Sequence, residues 1–139
     1  MMRVVIDTGV LISGLIRPAG IVGDVLRGLR DGRFIPIYST PILLEIIHVL
    51  SRPVFQSKYH VATDDITALI NLLRLRGEMV IPRLNLTVCR DPKDNKFLEA
   101  AISGGAEVII TGDDDLLALN TYERIEILRP TEFLDRLFQ

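Results

Sequence analysis

Residues 108–113, with the sequence Val-Ile-Ile-Thr-Gly-Asp, give the strongest indication of the fold. Three apolar residues are followed by Thr-Gly and an aspartate, and residues 4–7, Val-Val-Ile-Asp, show a similar pattern near the start. Short apolar runs of this kind are typical of strands that are buried on both faces of a parallel sheet. Ligands of open α/β sheets bind beyond the carboxyl ends of the strands, so the sequence predicts an acidic pocket there.

Segments with helical and strand patterns alternate outward from these two runs. This alternation is typical of an α/β domain with a mostly parallel sheet and right-handed crossovers. No repeat or linker interrupts it, so we expect one domain over residues 1–139. The predicted strands are residues 3–6, 34–38, 108–111 and 125–128, with 79–81 and 86–89 as competing candidates. The predicted helices are 21–29, a helix to about Ser51 for which Ser39-Thr40-Pro41 supplies an N-cap and an N1 proline, 63–77, 91–104, 116–119 and 131–138. Residues 10–16 are predicted as a short helix or a turn, and 55–60 are undecided.

The composition favours a folded protein without a membrane span. Hydrophobic residues make up 48% of the chain, and charges interrupt the longest apolar stretches. The single cysteine, Cys89, excludes an internal disulfide framework and a cysteine-rich zinc site. The first residues show no secretory signal, so we expect a cytoplasmic protein. The net charge of −2 lacks the basic footprint of many nucleic-acid-binding proteins, but acids clustered in one pocket would mask such a footprint.

Asp94 is the acidic residue whose position is hardest to explain by structure alone. Asp91 at the N-cap, Pro92 at N1 and Asp94 at N3 would form an acidic capping box. However, Asp94 also shares a helical face with Phe97 and Leu98. A carboxylate on a core-facing stripe must be paired, protonated or bound to a cation. We therefore assign Asp91 a structural role and Asp94 a functional one.

The aspartates at the two strand ends have both structural and functional interpretations. Asp7 could cap the turn that follows it, and residues 113–115 (Asp-Asp-Asp) could form the acidic first turn of a helix. Three adjacent like charges repel one another unless a cation lies between them, and alternate residues of an extended segment point the same way. We rank Asp113 first and Asp115 second as ligands, leave Asp114 to solvent, and favour a site role for Asp7.

Glu45 is an ambiguous candidate on pattern alone. With His48 and Arg52 it forms a polar stripe at i, i+3 and i+7, which could simply face water. Its Glu-x-x-His spacing also matches di-iron bundles, but the second copy that such a site needs is missing, and we dismiss that interpretation. Carboxylates without histidine or cysteine partners favour Mg²⁺ or Mn²⁺ over zinc.

Four acidic segments occur in order along nearly the whole chain. They are Asp-Thr-Gly-Val-Leu at 7–11, Ser-Thr-Pro-Ile-Leu-Leu-Glu at 39–45, Arg-Asp-Pro-Lys-Asp-Asn-Lys-Phe-Leu at 90–98 and Thr-Gly-Asp-Asp-Asp-Leu-Leu at 111–117. With these segments the chain resembles the PIN domain family, the nuclease fold of VapC-type toxins in bacterial and archaeal toxin–antitoxin pairs. The closing Leu-Arg-Pro-Thr-Glu-Phe-Leu at 128–134 is similar to a PIN subgroup of suspected toxins.

The resemblance implies a three-layer α/β/α PIN-like fold around a mostly parallel sheet of four to five strands. It implies a metal-dependent endoribonuclease that acts as a toxin, with RNA as substrate, a cognate antitoxin as partner and a homodimer as assembly. It also gives Glu45 a site role in place of a solvent-facing one. The implied catalytic residues are Asp7, Glu45, Asp94 and Asp113, and these four with Asp115 are the implied ligands of Mg²⁺ or Mn²⁺.

One position departs from the family's pattern. Gly9 stands where the family commonly has an asparagine that helps to order the active-site turn, so we expect a reduced rate. A PIN scaffold that binds RNA or a protein without cleaving RNA is the alternative function. A phosphoacceptor receiver domain is a more distant hypothesis, because the lysine of that fold is missing and the first strand ends in one aspartate instead of a pair.

Overall fold

Six strands and eight α-helices make up the part of the chain, residues 1–138, that the computed structural model describes. The strands are β1 (Arg3–Ile6), β2 (Ile35–Tyr38), β3 (Glu78–Met79), β4 (Val108–Ile110), β5 (Thr121–Tyr122) and β6 (Ile125–Leu128). The helices are α1 (Thr8–Ile16), α2 (Ile21–Arg30), α3 (Thr40–Leu50), α4 (Pro53–Ser57), α5 (Thr63–Arg76), α6 (Asn95–Gly104), α7 (Asp114–Leu117) and α8 (Pro130–Leu137). A 3-10 turn, Pro92–Asp94, leads directly into α6.

The strands form one sheet in the order β3-β2-β1-β4-β6-β5, and each pairing is parallel except that of β5 with β6. The α/β class and the mostly parallel sheet are therefore confirmed. The sheet has six strands where four to five were expected, because β3 and β5 contain two residues each and are too short to show a hydrophobic period. Of the two competing strand candidates, residues 79–81 contribute Met79 to β3, whereas 86–89 lie outside the strands.

The central strands are buried on both faces. The three residues of β4 are fully buried, and so are Val4 and Val5 of β1. The connections from β1 to β2 and from β2 to β3 run toward one edge of the sheet, whereas those from β3 to β4 and from β4 to β6 run toward the other edge. Right-handed crossovers therefore place the helices of these two sets of connections on opposite faces of the sheet. On one face α2 meets α8, beside an edge-to-face pair of Phe34 and Phe133 with ring centroids 5.2 Å apart. On the other face α6 packs against β1, β2 and β4.

The registers of β1, β4 and β6 bring their carboxyl ends to the same level. Ile6 lies opposite Ile110, which in turn lies opposite Leu128. The next residues along the chain, Asp7 and Thr111, are therefore neighbours, and the backbone N–H of Asp7 donates to the carbonyl of Ile110 at 2.9 Å. A slip of one residue would turn the buried side chains of β1 to the opposite face, so the core holds this register.

Helix α3 begins without the side-chain cap that the sequence predicted. Ser39 occupies the N-cap position, but its hydroxyl makes no capping hydrogen bond and is buried without a partner among the described residues. The physical reason is that Ser39 follows β2 directly and is fully buried at the sheet edge. Part of the undecided segment 55–60 belongs to the short helix α4.

Within residues 1–138, no single helix has the length and apolar character that a membrane span requires. Helices α1 and α2 reach that length only together, and the chain bends by 99° between them. Both helices contribute residues such as Leu11 and Val25 to the buried core.

The substitution Gly23→Ala is expected to destabilise the fold by about 1–3 kcal/mol, the usual cost of overpacking. Gly23 lies in α2, and a Cβ at this position would overlap the carbonyl oxygen of Pro18. Urea unfolding of the variant measures the loss. Gly9→Ala is the matched control, because a Cβ at Gly9 in α1 would meet no described atom within 4 Å apart from its chain neighbours and the adjacent helix backbone. Equal stability of the two variants would contradict the close packing at Gly23.

Candidate metal centre

Asp7 is held in a fixed orientation at the carboxyl end of β1. Its Oδ2 accepts a hydrogen bond from Thr111 Oγ1 at 2.5 Å, and its Oδ1 accepts one from the backbone N–H of Gly9 at 3.2 Å. Thr111 Oγ1 in turn accepts from the backbone N–H of Asp113 at 2.9 Å. The hydroxyl of Thr111 thus links the ends of β1 and β4 and orients the Asp7 carboxylate, which is only 9% exposed.

Asp94 is buried immediately before α6. It ends the 3-10 turn, and the following residues of its helical stripe, Phe97 and Leu98, belong to the core. Asp94 is 6% exposed, and its Oδ2 has no hydrogen-bond partner among the described residues. A buried carboxylate oxygen without a donor is costly unless a proton or a cation satisfies it. The burial predicted from the sequence is therefore present, and one carboxylate oxygen is left without a partner among the described residues.

The three aspartates after β4 lie in different environments. Asp113 caps α7, because its Oδ1 accepts from the backbone N–H of Asp115 at 2.9 Å. Asp115 is half-buried, and Arg90 Nε lies 3.0 Å from its Oδ1. Asp114 is exposed. The first-turn interpretation is thus correct for Asp114 and Asp115, whereas Asp113 precedes the helix as its N-cap. Asp113 also lines a cleft with Asp7 and so remains a ligand candidate.

Glu45 lies on α3 and lines the same cleft. Its Oε2 accepts a hydrogen bond from Thr8 Oγ1 at 3.0 Å and lies 3.1 Å from Lys96 Nζ. His48 and Arg52, the other members of the polar stripe, are exposed. The stripe therefore divides, with Glu45 half-buried at the site and the other two residues on the surface.

Asp91 has a property that the sequence interpretation missed. It caps the 3-10 turn as predicted, since its Oδ1 accepts from the backbone N–H of Lys93 at 3.0 Å. However, carboxylate oxygens of Asp91, Asp94 and Asp115 also lie within 4.8 Å of one another, close enough to share one ion. The signal that could have indicated this is the spacing of Asp91 and Asp94, because residues i and i+3 eclipse in a 3-10 turn.

A cleft of about 530 Å³ beyond the ends of β1 and β4 joins these groups. Asp115 does not line the cleft, but its carboxylate lies within 4.8 Å of those of Asp91 and Asp94, which do. The structure thus brings all five predicted site residues to one region. Four of them line the cleft: Asp7, Glu45, Asp94 and Asp113.

Burial and mutual repulsion favour the protonated forms of the Asp94 and Asp7 carboxyl groups. Burial, followed by the adjacent Asp113 carboxylate, raises the pKa of Asp94 to about 7. Burial also raises the pKa of Asp7, and the charges of Asp113 and Glu45 act in the same direction, although its hydrogen bonds oppose the shift. A bound cation would reverse these effects, because it favours the ionised forms.

The arrangement fits a hard divalent cation. The candidate donors are carboxylate oxygens, which suit Mg²⁺ or Mn²⁺, and no histidine is among the described residues that line the cleft. Cys89 offers no alternative ligand, because it is buried and burial, together with the nearby Asp94, raises the pKa of its thiol to about 11. The unpartnered Oδ2 of Asp94 is the atom that such an ion would satisfy.

The fold and the cleft define an α/β domain with an acidic site at the carboxyl ends of its strands. The chain belongs to the PIN domain family, whose model matches residues 3–115. It is also 36% identical over 141 residues to an uncharacterized protein of Methanocaldococcus jannaschii, a match that covers 96% of this chain and 90% of the relative. PIN domains are typically nucleases and usually use divalent metals, so the chain has a nuclease-type scaffold.

The comparisons confirm the resemblance to PIN domains, and the receiver-domain hypothesis has no support from them. The relative carries no named activity, so the toxin role stays a prediction. The nuclease-type scaffold supports a hydrolase kind of reaction, and three neighbouring acidic residues are available for a metal.

The metal-free protein is expected to lose stability as the pH rises from about 4 to about 7. An unfolded aspartate loses its proton near pH 4, whereas the folded Asp94 carboxyl, with its raised pKa of about 7, keeps the proton over this interval. The folded state then binds more protons than the unfolded state, so the free energy of unfolding falls with rising pH. Urea unfolding at about pH 5 and pH 8 with a chelator measures the change.

Asp94→Asn is the control for this pH dependence, because an amide does not titrate. The variant should lose the part of the pH dependence that Asp94 contributes. Saturating Mg²⁺ should stabilise the wild type more at pH 8 than at pH 5, since the ion competes with the proton. Identical pH profiles for the metal-free wild type and the variant would contradict the raised pKa.

Proposed function

We propose that this protein is an endoribonuclease that depends on Mg²⁺ or Mn²⁺. The observation that carries the proposal is Asp94 Oδ2, a buried oxygen without a hydrogen-bond partner among the described residues, in a carboxylate that lies close to those of Asp91 and Asp115. A cation bound to this oxygen would remove the cost of burying it. The PIN scaffold supports hydrolysis of phosphodiester bonds as the reaction.

The carboxylates divide into a centre and two sides. Asp7, Asp94 and Asp113 are the proposed central ligands, since Asp7 and Asp113 follow β1 and β4, Asp94 is adjacent to Asp113, and all three line the cleft. Glu45 on α3 and Asp115 on α7 are proposed to complete the site, each beside a basic residue. Asp91 joins the Asp115 side through the short distances among their oxygens.

A divalent cation, when bound, supplies a water of lowered pKa and neutralises charge on the phosphate. The residues of the chain hold the other parts in place. Thr111 orients the Asp7 carboxylate, and the backbone N–H of Asp115 orients that of Asp113. Lys93 lines the cleft and is exposed, so its ammonium can contact the phosphates of an RNA strand and position it without reading its sequence.

Asp94→Asn and Asp7→Asn are each expected to lower cleavage of unstructured RNA by at least about 100-fold. The reason is that loss of a ligand should exceed the 10–100-fold cost of disturbing an outer-shell partner. Initial rates on a fluorogenic RNA, with Mn²⁺ and with a chelator, measure the effect. Asp114→Asn is the matched control, because it removes the same charge at an exposed position next to Asp113.

Two outcomes of this experiment would count against the enzymatic proposal. Cleavage that persists with the chelator, or that both variants retain at the wild-type rate, would contradict metal-dependent catalysis at this site. A wild type that binds RNA without cleaving it would favour the alternative function, a PIN scaffold of low or no activity. Gly9 is the feature that supports this alternative. Its backbone N–H donates to Asp7 Oδ1 at 3.2 Å, but Gly9 has no side chain that could add a second contact to Asp7.

We further propose that the nuclease is a toxin that acts on cytoplasmic RNA and is held inactive by a cognate antitoxin. The support is the resemblance of residues 128–134 to PIN toxins. We propose a homodimer through the exposed apolar residues of α5, such as Leu75, which is 75% exposed. If the protein is a toxin, its expression should arrest growth, and the product of a neighbouring small reading frame should relieve the arrest. Light scattering, which measures the mass of the protein in solution, tests the dimer. Normal growth would contradict the toxin role.

A further inference from the structure

Two basic side chains pair with carboxylates of the site, and they differ in burial. Lys96 Nζ lies 3.1 Å from Glu45 Oε2, and the two side chains are 20% and 28% exposed. Arg90 Nε lies 3.0 Å from Asp115 Oδ1, but the Arg90 side chain is 66% exposed. Water and salt screen an exposed pair strongly, whereas a half-buried pair keeps more of its attraction. Lys96 is therefore the more firmly held cation.

Several contacts keep Lys96 in place. Its Nζ donates to the carbonyl oxygen of Lys93 at 2.5 Å and lies 5.2 Å from the centroid of the Phe97 ring. Since Lys96 is on α6 and Glu45 is on α3, their ion pair joins two helices at the cleft. The ammonium is thus a fixed charge on the Glu45 side of the site.

Glu45 Oε2 and Asp94 Oδ2 have opposite hydrogen-bonding environments. The Glu45 oxygen accepts a hydrogen bond from Thr8 Oγ1 at 3.0 Å and lies 3.1 Å from Lys96 Nζ, so a hydroxyl donor and an ammonium already face it. The Asp94 oxygen has no partner among the described residues. A cation that enters the cleft therefore finds at Asp94 a carboxylate oxygen without a partner, whereas the Glu45 carboxylate already faces an ammonium.

We infer that the cleft binds one divalent cation, near Asp94, and that Lys96 takes the place of a second ion. In a two-metal nuclease the second ion provides a positive charge in the site, and here the Lys96 ammonium provides that charge at Glu45. The inference rests on the proposed metal-dependent function. Two-metal sites place their ions about 3.5–4 Å apart. An ammonium fixed beside Glu45 repels a second cation there and holds the glutamate side chain in its orientation. Lys96 is in this sense a positioning residue.

Calorimetric titration of the metal-free protein with Mn²⁺ tests the inference by counting bound ions. The wild type should bind one ion per chain. Lys96→Met keeps most of the side-chain volume but removes the charge, so the variant should bind two. Lys93→Met is the matched control and should bind one, because Lys93 lines the same cleft but forms no ion pair with a described carboxylate.

The double variant Lys96→Met/Glu45→Gln shows whether the second ion needs Glu45. It should return to one ion per chain, because the carboxylate that would hold the additional ion is gone. Circular dichroism of each variant verifies folding before the titration. If Lys96→Met does not fold, Lys96→Gln replaces it, since the amide can still donate a hydrogen bond without a charge.

The outcomes separate this inference from the proposed function. Two ions in the wild type, or one ion in both the wild type and Lys96→Met, would overturn the role of Lys96 and leave metal dependence intact. Lower stability of Lys96→Met with an unchanged ion count would identify Lys96 as a structural link between α3 and α6 and would also overturn it. A wild type that binds no Mn²⁺ would contradict the proposed function and the inference together.

Discussion

Repulsion among carboxylates that the fold forces together is the constraint on which the site depends. Burial of β1 and β4 on both faces fixes the register that makes Asp7 and Thr111 neighbours. Core packing of α6 brings Asp94 to the same edge of the sheet. Because burial and like charges both oppose ionisation, the site lowers the free energy of unfolding, and the apolar core must offset that loss. Groups with strongly shifted pKa values are concentrated at functional sites, which accords with a nuclease-type scaffold.

Hydrogen-bond donors and cations around the site reduce the repulsion at some of the carboxylates but not at others. The Thr111 hydroxyl and the backbone N–H of Asp115 satisfy single oxygens of Asp7 and Asp113. At the periphery, Lys96 and Arg90 neutralise one carboxylate each. The negative charges of Glu45 and Asp115 are thus each paired with a basic side chain, whereas Asp7, Asp94 and Asp113 have no cation beside them among the described residues. One hard cation at the centre would complete this arrangement, and the exposed basic residues would remain available for a polyanionic substrate.

Local sequence patterns predict the buried parts of the fold and miss the contacts that only the folded chain makes. The apolar runs at 4–6 and 108–110 predicted the central strands, and the stripe that follows Asp94 predicted its burial. By contrast, the polar stripe of Glu45 fits a solvent-facing helix equally well, and only the family resemblance indicated its place. The two-residue strands have no periodicity to detect. The pairing of Lys96 with Glu45 joins residues far apart in sequence, so no local pattern reveals it. One domain over residues 1–139, the ligand set and the partners stay predictions.

Diffraction from a crystal soaked in Mn²⁺, with an anomalous difference map collected at the manganese edge, tests most directly whether the cleft is a cation site centred on Asp94. One peak per chain is predicted, within bonding distance of Asp94 Oδ2 and on the side of the cleft away from Lys96. A map without a peak in the cleft, or with manganese only at exposed acidic pairs such as Asp64 and Asp65, would contradict the proposed metal centre.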